Sequence, residues 1–154
     1  ATADNLKNKD VEIVISSPLR RAKQTGNIVS KVIKVPLQYD ERFTEVNVGV
    51  AEGMHYTQAL EKFGELYRKC SSKTQDEDIC FENGESKRQV RQRVFSALEQ
   101  YAQSKYNNIA ISGHGITLTE TLHALNIDKE DVDNGEIIHL QYDNDNWRYV
   151  GCIK

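Results

Sequence analysis

Two short segments hold the residues whose types and spacing could do chemistry. One is Ser17-Pro18-Leu19-Arg20-Arg21-Ala22, which follows directly on the apolar run Val11-Glu12-Ile13-Val14-Ile15-Ser16. The other is Gly113-His114-Gly115, which follows Asn108-Ile109-Ala110-Ile111-Ser112. Each reads as a strand running into the start of a helix. In the first, Ser17 is a natural N-cap, and Pro18 suits the first helical position, where its missing N–H costs nothing. Arg20 and Arg21 then fall in the first turn, where positive charge opposes the helix dipole by about 0.3–1 kcal/mol per charge. Charge in that place is either a solvated helix face, the reading for Arg20, or a hold on an anion, the reading for Arg21. An arginine offers a planar fork to non-bridging phosphate oxygens. Glycines beside His114 let the backbone come close, and the helix after it points unpaired N–H groups outward. In open α/β sheets, ligands bind beyond the carboxyl ends of the strands. Arg21 and His114 can therefore converge on one phosphate.

The elements that must position them alternate between strand and helix patterns. That predicts an α/β domain, a three-layer sandwich around a mostly parallel central sheet. The helix after Ser17 carries an apolar stripe at Leu19, Ala22, Gly26, Val29 and Ile33. Ser86-Lys87-Arg88-Gln89 reads as a capping box, followed by Val90, Val94, Ala97, Leu98 and Tyr101 on one side. A further helix is predicted after Gly115, with Leu118, Leu122 and Leu125 facing inward. The C-terminal stretch reads as a hairpin, Glu136 to Tyr142 and Trp147 to Ile153, turning at Asp143-Asn144-Asp145-Asn146. Between Gly53 and Gly84 lies a polar insert, with one helix predicted at about Tyr56 to Lys69 and then a loop rich in Ser, Lys and Asp.

The composition sets bounds. The 154 residues suffice for one domain with one core, here 1–154 with a variable insert at about 54–83. Twenty basic residues against 23 acidic ones give a net charge of −3, which offers nucleic acid or a membrane surface no bulk attraction. The apolar runs are far too short to span a membrane, and the N-terminus has no signal-peptide pattern. Cys70, Cys80 and Cys152 have no metal-ligand spacing and read as free thiols in a reducing cytoplasm.

The run Ser16-Ser17-Pro18-Leu19-Arg20-Arg21-Ala22-Lys23-Gln24-Thr25 resembles the second signature of the histidine phosphatase superfamily, in its phosphoglycerate mutase-like branch. Further matches follow in order. Arg42-Phe43-Thr44-Glu45 with Gly49 and Glu52-Gly53 is similar to that family's arginine, acidic residue and Glu-Gly segment. Gly84-Glu85-Ser86, then Val90 and Arg93-Val94, is similar to its Gly-Glu-Ser helix start, and Ile111-Ser112-Gly113-His114-Gly115 to its second histidine motif. Four modest motifs in the right order, covering nearly the whole chain, make coincidence a poor explanation.

The resemblance implies a phosphomonoesterase working through a phosphohistidine on a small phosphorylated substrate. Arg21 would clamp the phosphoryl group and His114 would stabilise its developing charge. Glu45 would protonate the leaving oxygen and then help activate water, with Gly115 and Ser17, the latter read first as a cap, completing the substrate contacts. No metal and no cofactor is implied, since arginine and histidine supply the positive charge. Arg42 is expected to pair with a nearby carboxylate or support the site from behind it; His55, His123 and His139 receive no role. A cofactor-dependent phosphoglycerate mutase is the second reading; such proteins carry a longer segment between the Glu-Gly and Gly-Glu-Ser motifs. A non-catalytic phosphate-binding module is the third, if the chain is whole. Neither nucleic acid nor membrane is implied as a partner, and a homodimer is left open.

The family opens with a strand carrying Arg-His-Gly, whose histidine accepts the phosphoryl group. No Arg-His-Gly occurs here, and none of the four histidines precedes Ser17. Residues 1–8 resemble the tail of the family's first helix. The expectation is therefore an N-terminally truncated domain that lacks its first strand. That strand should lie beside both Val11–Ile15 and Ile109–Ile111, leaving these two facing a slot with unpaired backbone groups on each side.

Overall fold

The computed structural model describes residues 2–71, 77–129 and 131–153. The chain divides into two compact units, Ala1–Glu45 with Arg93–Lys154, and Val46–Gln92. The insert predicted at 54–83 falls inside the second.

The first unit begins with α1 (Thr2–Asn5), β1 (Ile13–Ser16), α2 (Arg20–Ile33) and β2 (Leu37–Tyr39). The chain returns to it through α5 (Lys87–Ala102), and then β3 (Ile109–Ser112), α6 (Gly115–Ala124), β4 (Ile137–Asp143) and β5 (Asn146–Ile153) follow. Strands β2, β1 and β3 form a parallel sheet in that order, as the alternation of strands and helices predicts. All four β1 residues are buried, the near-continuous apolar pattern of a strand covered on both faces. Val14 joins Ala3, Leu6 and Val29 in one cluster, with Val11, Ile33, Val35, Leu37, Ala110 and Ile137 packed around it. Ile13 and Ile15 point to the other face and are equally buried, which makes β1 the middle of a layered α/β domain.

The pairing corrects one expectation. Strands β1 and β3 are hydrogen-bonded directly, Ile13 opposite Ile109 through Ser16 opposite Ser112. No slot separates them, because β2 and β3 between them occupy both edges of β1. The edges without a strand partner among the described residues are the far sides of β2 and β3, and the residues of β3 are half-buried. Strands β4 and β5 make a separate antiparallel pair. Their turn is the predicted one, tightened to Asn144 and Asp145, both at positive φ (47° and 60°), as a two-residue hairpin demands.

Helix α2 starts later than expected. Its cap is Leu19, extended at φ −67° and ψ 140° with no side-chain cap. Ser17 is not the N-cap, because its hydroxyl accepts from the Leu19 N–H at 3.2 Å in a tight turn ahead of the helix. The helix seats on β1 at Gly26, where an added Cβ would stand 2.9 Å from Ser16 Cβ. Helix α6 departs further from its pattern. Leu122 is buried, but Leu118 and Leu125 are only half-buried, and the residues facing inward beside Leu122 are Thr117, Glu120 and Thr121.

In the second unit, the single helix predicted from Tyr56 to Lys69 is two, α3 (Tyr56–Phe63) and α4 (Glu65–Ser71). Gly64 breaks them at φ 50°, where its N–H still reaches Leu60 O at 2.8 Å. Part of the Ser/Lys/Asp loop that follows lies outside the described residues. Phe63 packs against Phe81 at 5.1 Å between ring centroids. The capping box is present as predicted: Gln89 Oε1 accepts from Ser86 N at 2.8 Å, and Ser86 Oγ from Gln89 N at 3.3 Å.

Replacing Gly26 by alanine is expected to destabilise the protein by about 1–3 kcal/mol, the range for overpacking a filled contact, and valine by more. Urea denaturation measures this; unchanged midpoints would mean that α2 is not pressed on Ser16.

Candidate active site

The pairing of β1 with β3 sets two strand ends side by side: Ser17 N donates to Ser112 O at 2.9 Å. From there α2 brings Arg21 back over the sheet end, and His114 stands at the N-cap of α6 with extended backbone. Arg21 Nε donates to His114 Nδ1 at 3.0 Å, across 93 residues of sequence. On the other side of the ring, His114 Nε2 lies 2.8 Å from Ser17 Oγ.

These contacts assign the imidazole proton. A guanidinium only donates, so Nδ1 must accept and carry no hydrogen. The proton sits on Nε2 and points at Ser17 Oγ, and the ring is neutral. The electrostatics agree: burial first, then the Arg21 charge and more weakly Arg93, push His114 below its ordinary 6.5, with Glu45 opposing in part. Ser17, given by the sequence as cap before ligand, is thus a partner of the histidine. Its oxygen takes both the Leu19 N–H and the His114 Nε2–H.

Glu45 reaches the same helix start from another direction. Its Oε1 accepts from Thr117 N and lies as close to Thr117 Oγ1, 3.0 Å in each case, while Oε2 accepts from Ile116 N at 3.3 Å. These N–H groups belong to the first turn of α6, where no intrahelical acceptor exists. His114 supplies no side-chain cap; the carboxylate does so from a distant loop, and negative charge there suits the helix dipole. Gly115 opens the helix, and a Cβ placed on it would meet nothing within 4 Å, so that side of the turn is unobstructed. Arg42 behaves as its sequence context predicts. It forms a two-pronged pair with Asp40, Nη2 to Oδ2 at 2.6 Å and Nε to Oδ1 at 3.0 Å, and Tyr101 donates to the same Oδ2 at 3.1 Å. The pair holds Asp40 below the ordinary carboxylate range even though burial opposes it.

The structure thus brings Arg21, His114 and Ser17 into one hydrogen-bonded set, with Gly115 next in the chain and Glu45 on the following turn. Sequence reasoning gave no part to Thr117, which anchors Glu45, or to the Asp40–Tyr101 contact. The signal for the second was the side of α5 that Tyr101 shares with Val94 and Ala97.

Arg21, His114 and Ser17 thus meet at paired strand ends of a parallel sheet, and the chain belongs to the histidine phosphatase superfamily (branch 1), whose family model matches residues 1–153. Among curated relatives it is similar to the "Putative phosphoserine phosphatase 2" of Hydrogenobacter thermophilus (strain DSM 6534 / IAM 12695 / TK-6). The two are 34% identical over 117 residues, which is 76% of this chain and 55% of that protein. It is also similar to the "Probable phosphoglycerate mutase GpmB" of Escherichia coli (strain K12 / DH10B), 29% identical over 75% of this chain and 54% of that one. The chain thus spans about half the length of these relatives. The solved structure of a mycobacterial glucosyl-3-phosphoglycerate phosphatase superposes with a TM-score of 0.80 over 96% of this chain and 80% of that one. At 18% identity, that likeness shows the fold alone. No helix among the described residues is long and apolar enough to cross a membrane.

Because the folded protein holds His114 below its ordinary value, the unfolded chain binds the extra proton. This residue's contribution to stability is complete above about pH 6.5 and is lost as pH falls through the folded value. An imidazole NMR titration should show a value under 6.5 and a proton on Nε2, and Arg21→Met should raise the value. Titration at or above 6.5 in the native protein would contradict the assignment.

Proposed function

We propose that the full-length protein is a phosphomonoesterase for small phosphorylated substrates that passes the phosphoryl group through a phosphohistidine. One observation carries the reading. A permanently charged arginine and a histidine, each from its own strand end, meet at 3.0 Å, and a carboxyl group is held on the first turn of the histidine's own helix. Phosphoryl transfer asks mainly for position and for charge on the equatorial oxygens.

In this reading a histidine outside these 154 residues attacks phosphorus. The bond from phosphorus to the ester oxygen breaks, and the electron pair leaves with that oxygen, which takes a proton that Glu45 acquires from solvent as the anionic substrate enters beside it. Arg21 presents its N–H groups to the equatorial oxygens, where a phosphate is a far better acceptor than the imidazole it bonds to now. Water then gives a proton to Glu45 and attacks the phosphohistidine. The P–N bond breaks with its electrons on nitrogen, and phosphate departs. His114 and the Gly115 N–H that opens α6 stabilise charge in both steps, while Ile116 N and Thr117 N stay with Glu45.

Relatives with phosphatase names and with a mutase name both occur among the matches. The short segment between Gly53 and Gly84 favours hydrolysis, since a mutase must also hold the substrate's carboxylate while the phosphoryl group changes position. Three free thiols, Cys70, Cys80 and Cys152, support a reducing cytoplasmic setting.

Arg21→Ala in the full-length protein should lower kcat/KM for phosphate monoesters by roughly 2–4 kcal/mol, or about 30- to 1,000-fold, and weaken inhibition by vanadate. Wild-type kinetics would sink the clamp. Glu45→Gln should cost most on alkyl phosphates and least on activated aryl phosphates, because only a poor leaving oxygen needs the proton. Equal losses on both would reduce Glu45 to a helix cap.

A further inference from the structure

We propose that Arg93 is a positioning residue for this chemistry: from α5 its guanidinium ties down the backbone of the turn that ends in Glu45, and so sets where the Glu45 carboxyl stands on α6. The proposal rests on the reading of Glu45 as the acid.

The loop from Asp40 to Glu45 contains only one short helical turn, Glu41–Phe43, so no strand or long helix fixes its course. Its end is bonded to α6 through Thr44 and Glu45, and the rest of its hold comes from one side of α5. Arg93, Ala97 and Tyr101 recur at four-residue spacing and line that side. Tyr101 takes the start of the loop, donating to Asp40 and stacking on Phe43 at 6.1 Å between ring centroids. Phe43 is only 3% exposed, so the middle of the loop is fixed by burial. The end of the loop has neither device. There Arg93 Nη1 donates to Arg42 O at 2.6 Å and Nη2 to Glu45 O at 3.4 Å. One planar fork thus bridges two carbonyls three residues apart, a geometry that a lysine's point charge does not reproduce.

The consequence falls on Glu45 more than on the fold. Without the fork, the loop start remains attached through Tyr101, Phe43 and the Asp40–Arg42 pair, while the last residues, still bonded to the first turn of α6, lose the hold that α5 has on their backbone. A displacement of about 1 Å at a reacting group can cost on the order of 100-fold in rate. The Arg93 charge also helps to keep a proton off His114, so its loss should register in that ring's titration as well.

The test uses the full-length protein with Arg93→Met, Arg93→Lys, Glu45→Gln and the double variant Arg93→Met/Glu45→Gln. Steady-state kcat/KM is measured on an alkyl phosphate and on p-nitrophenyl phosphate, beside thermal melts. Arg93→Met should lose about 10- to 100-fold on the alkyl phosphate and little on the aryl ester. In the Glu45→Gln background it should cost nothing more, since the group it positions is already disabled. Arg93→Lys, which keeps the charge and loses the fork, should show the same substrate dependence at smaller size. It also serves if the methionine variant does not fold. Equal losses on both substrates, losses that multiply in the double variant, or a lysine variant like the wild type on the alkyl phosphate would each overturn the proposal. If Glu45→Gln shows no leaving-group dependence, the acid assignment itself fails and takes this inference with it. If Glu45→Gln shows it and Arg93→Met does not, only the role of Arg93 fails.

Discussion

The parallel register of β1 on β3 is the constraint on which the site depends, because it puts Ser16 level with Ser112. Strands in a sheet lie about 4.8 Å apart, so the residues that leave the two ends start as neighbours. The helices that follow then carry Arg21 and His114 into contact. A slip of two residues would shift one end by about 6.6 Å and part them. A slip of one would turn Ile13, Val14 and Ile15 to the wrong faces. All three are buried, so core packing resists either slip. Ser112 Oγ adds a tie to Ala22 O at 3.0 Å, linking β3 to the helix that bears Arg21. The precision of the polar pair is thus set by apolar residues that never touch it.

A guanidinium against a neutral imidazole is an arrangement with a direction. Arg21 cannot give up its charge, and the ring beside it is kept uncharged by burial and by that same charge. The Nε–H of Arg21 therefore rests on a weak acceptor. An incoming phosphate is anionic and competes for the donor on favourable terms. Once the anion is present, its charge also relieves the pressure that keeps a proton off His114. In the proposed reaction the pair would suit an anion better than it suits itself, the preorganisation that a charge-stabilising site requires.

Much of this was legible in the sequence because it is local. A strand ending in a Ser-Pro helix start, a histidine between glycines, a capping box at Ser86 and an alternating hairpin are all patterns of adjacent residues. The order of strands in the sheet is not local, and the slot that the family resemblance implies between β1 and β3 is closed by their direct pairing. Ser17 misled because a serine before Pro18 has the form of a cap, whereas its hydroxyl is committed to Leu19 N and to a histidine 97 residues away. Gly64 sits at a left-handed kink inside a helical pattern whose periodicity runs on past it. In α6 the leucine spacing pointed one way and the helix turned another, because Thr117 must face Thr44 O at 2.8 Å and the Glu45 carboxylate. A tertiary polar contact overrode the apolar stripe.

That override says what kind of residue Glu45 is. An acceptor placed only to cap a helix could come from the N-cap residue itself, where Ser, Thr, Asp and Asn are preferred. Here the N-cap is His114, whose ring is committed to Arg21 and Ser17. The first turn of α6 must then find its acceptor elsewhere, and the loop that follows β2 delivers it. Capping α6 and standing beside His114 are therefore one placement, met by one side chain. The same hydrogen bonds that satisfy Ile116 N and Thr117 N hold the carboxyl within the turn that His114 opens. The stability of the helix and the position of the carboxyl beside His114 are coupled through Glu45, and a loop with little regular structure of its own can hold that carboxyl because the helix it caps holds it in return.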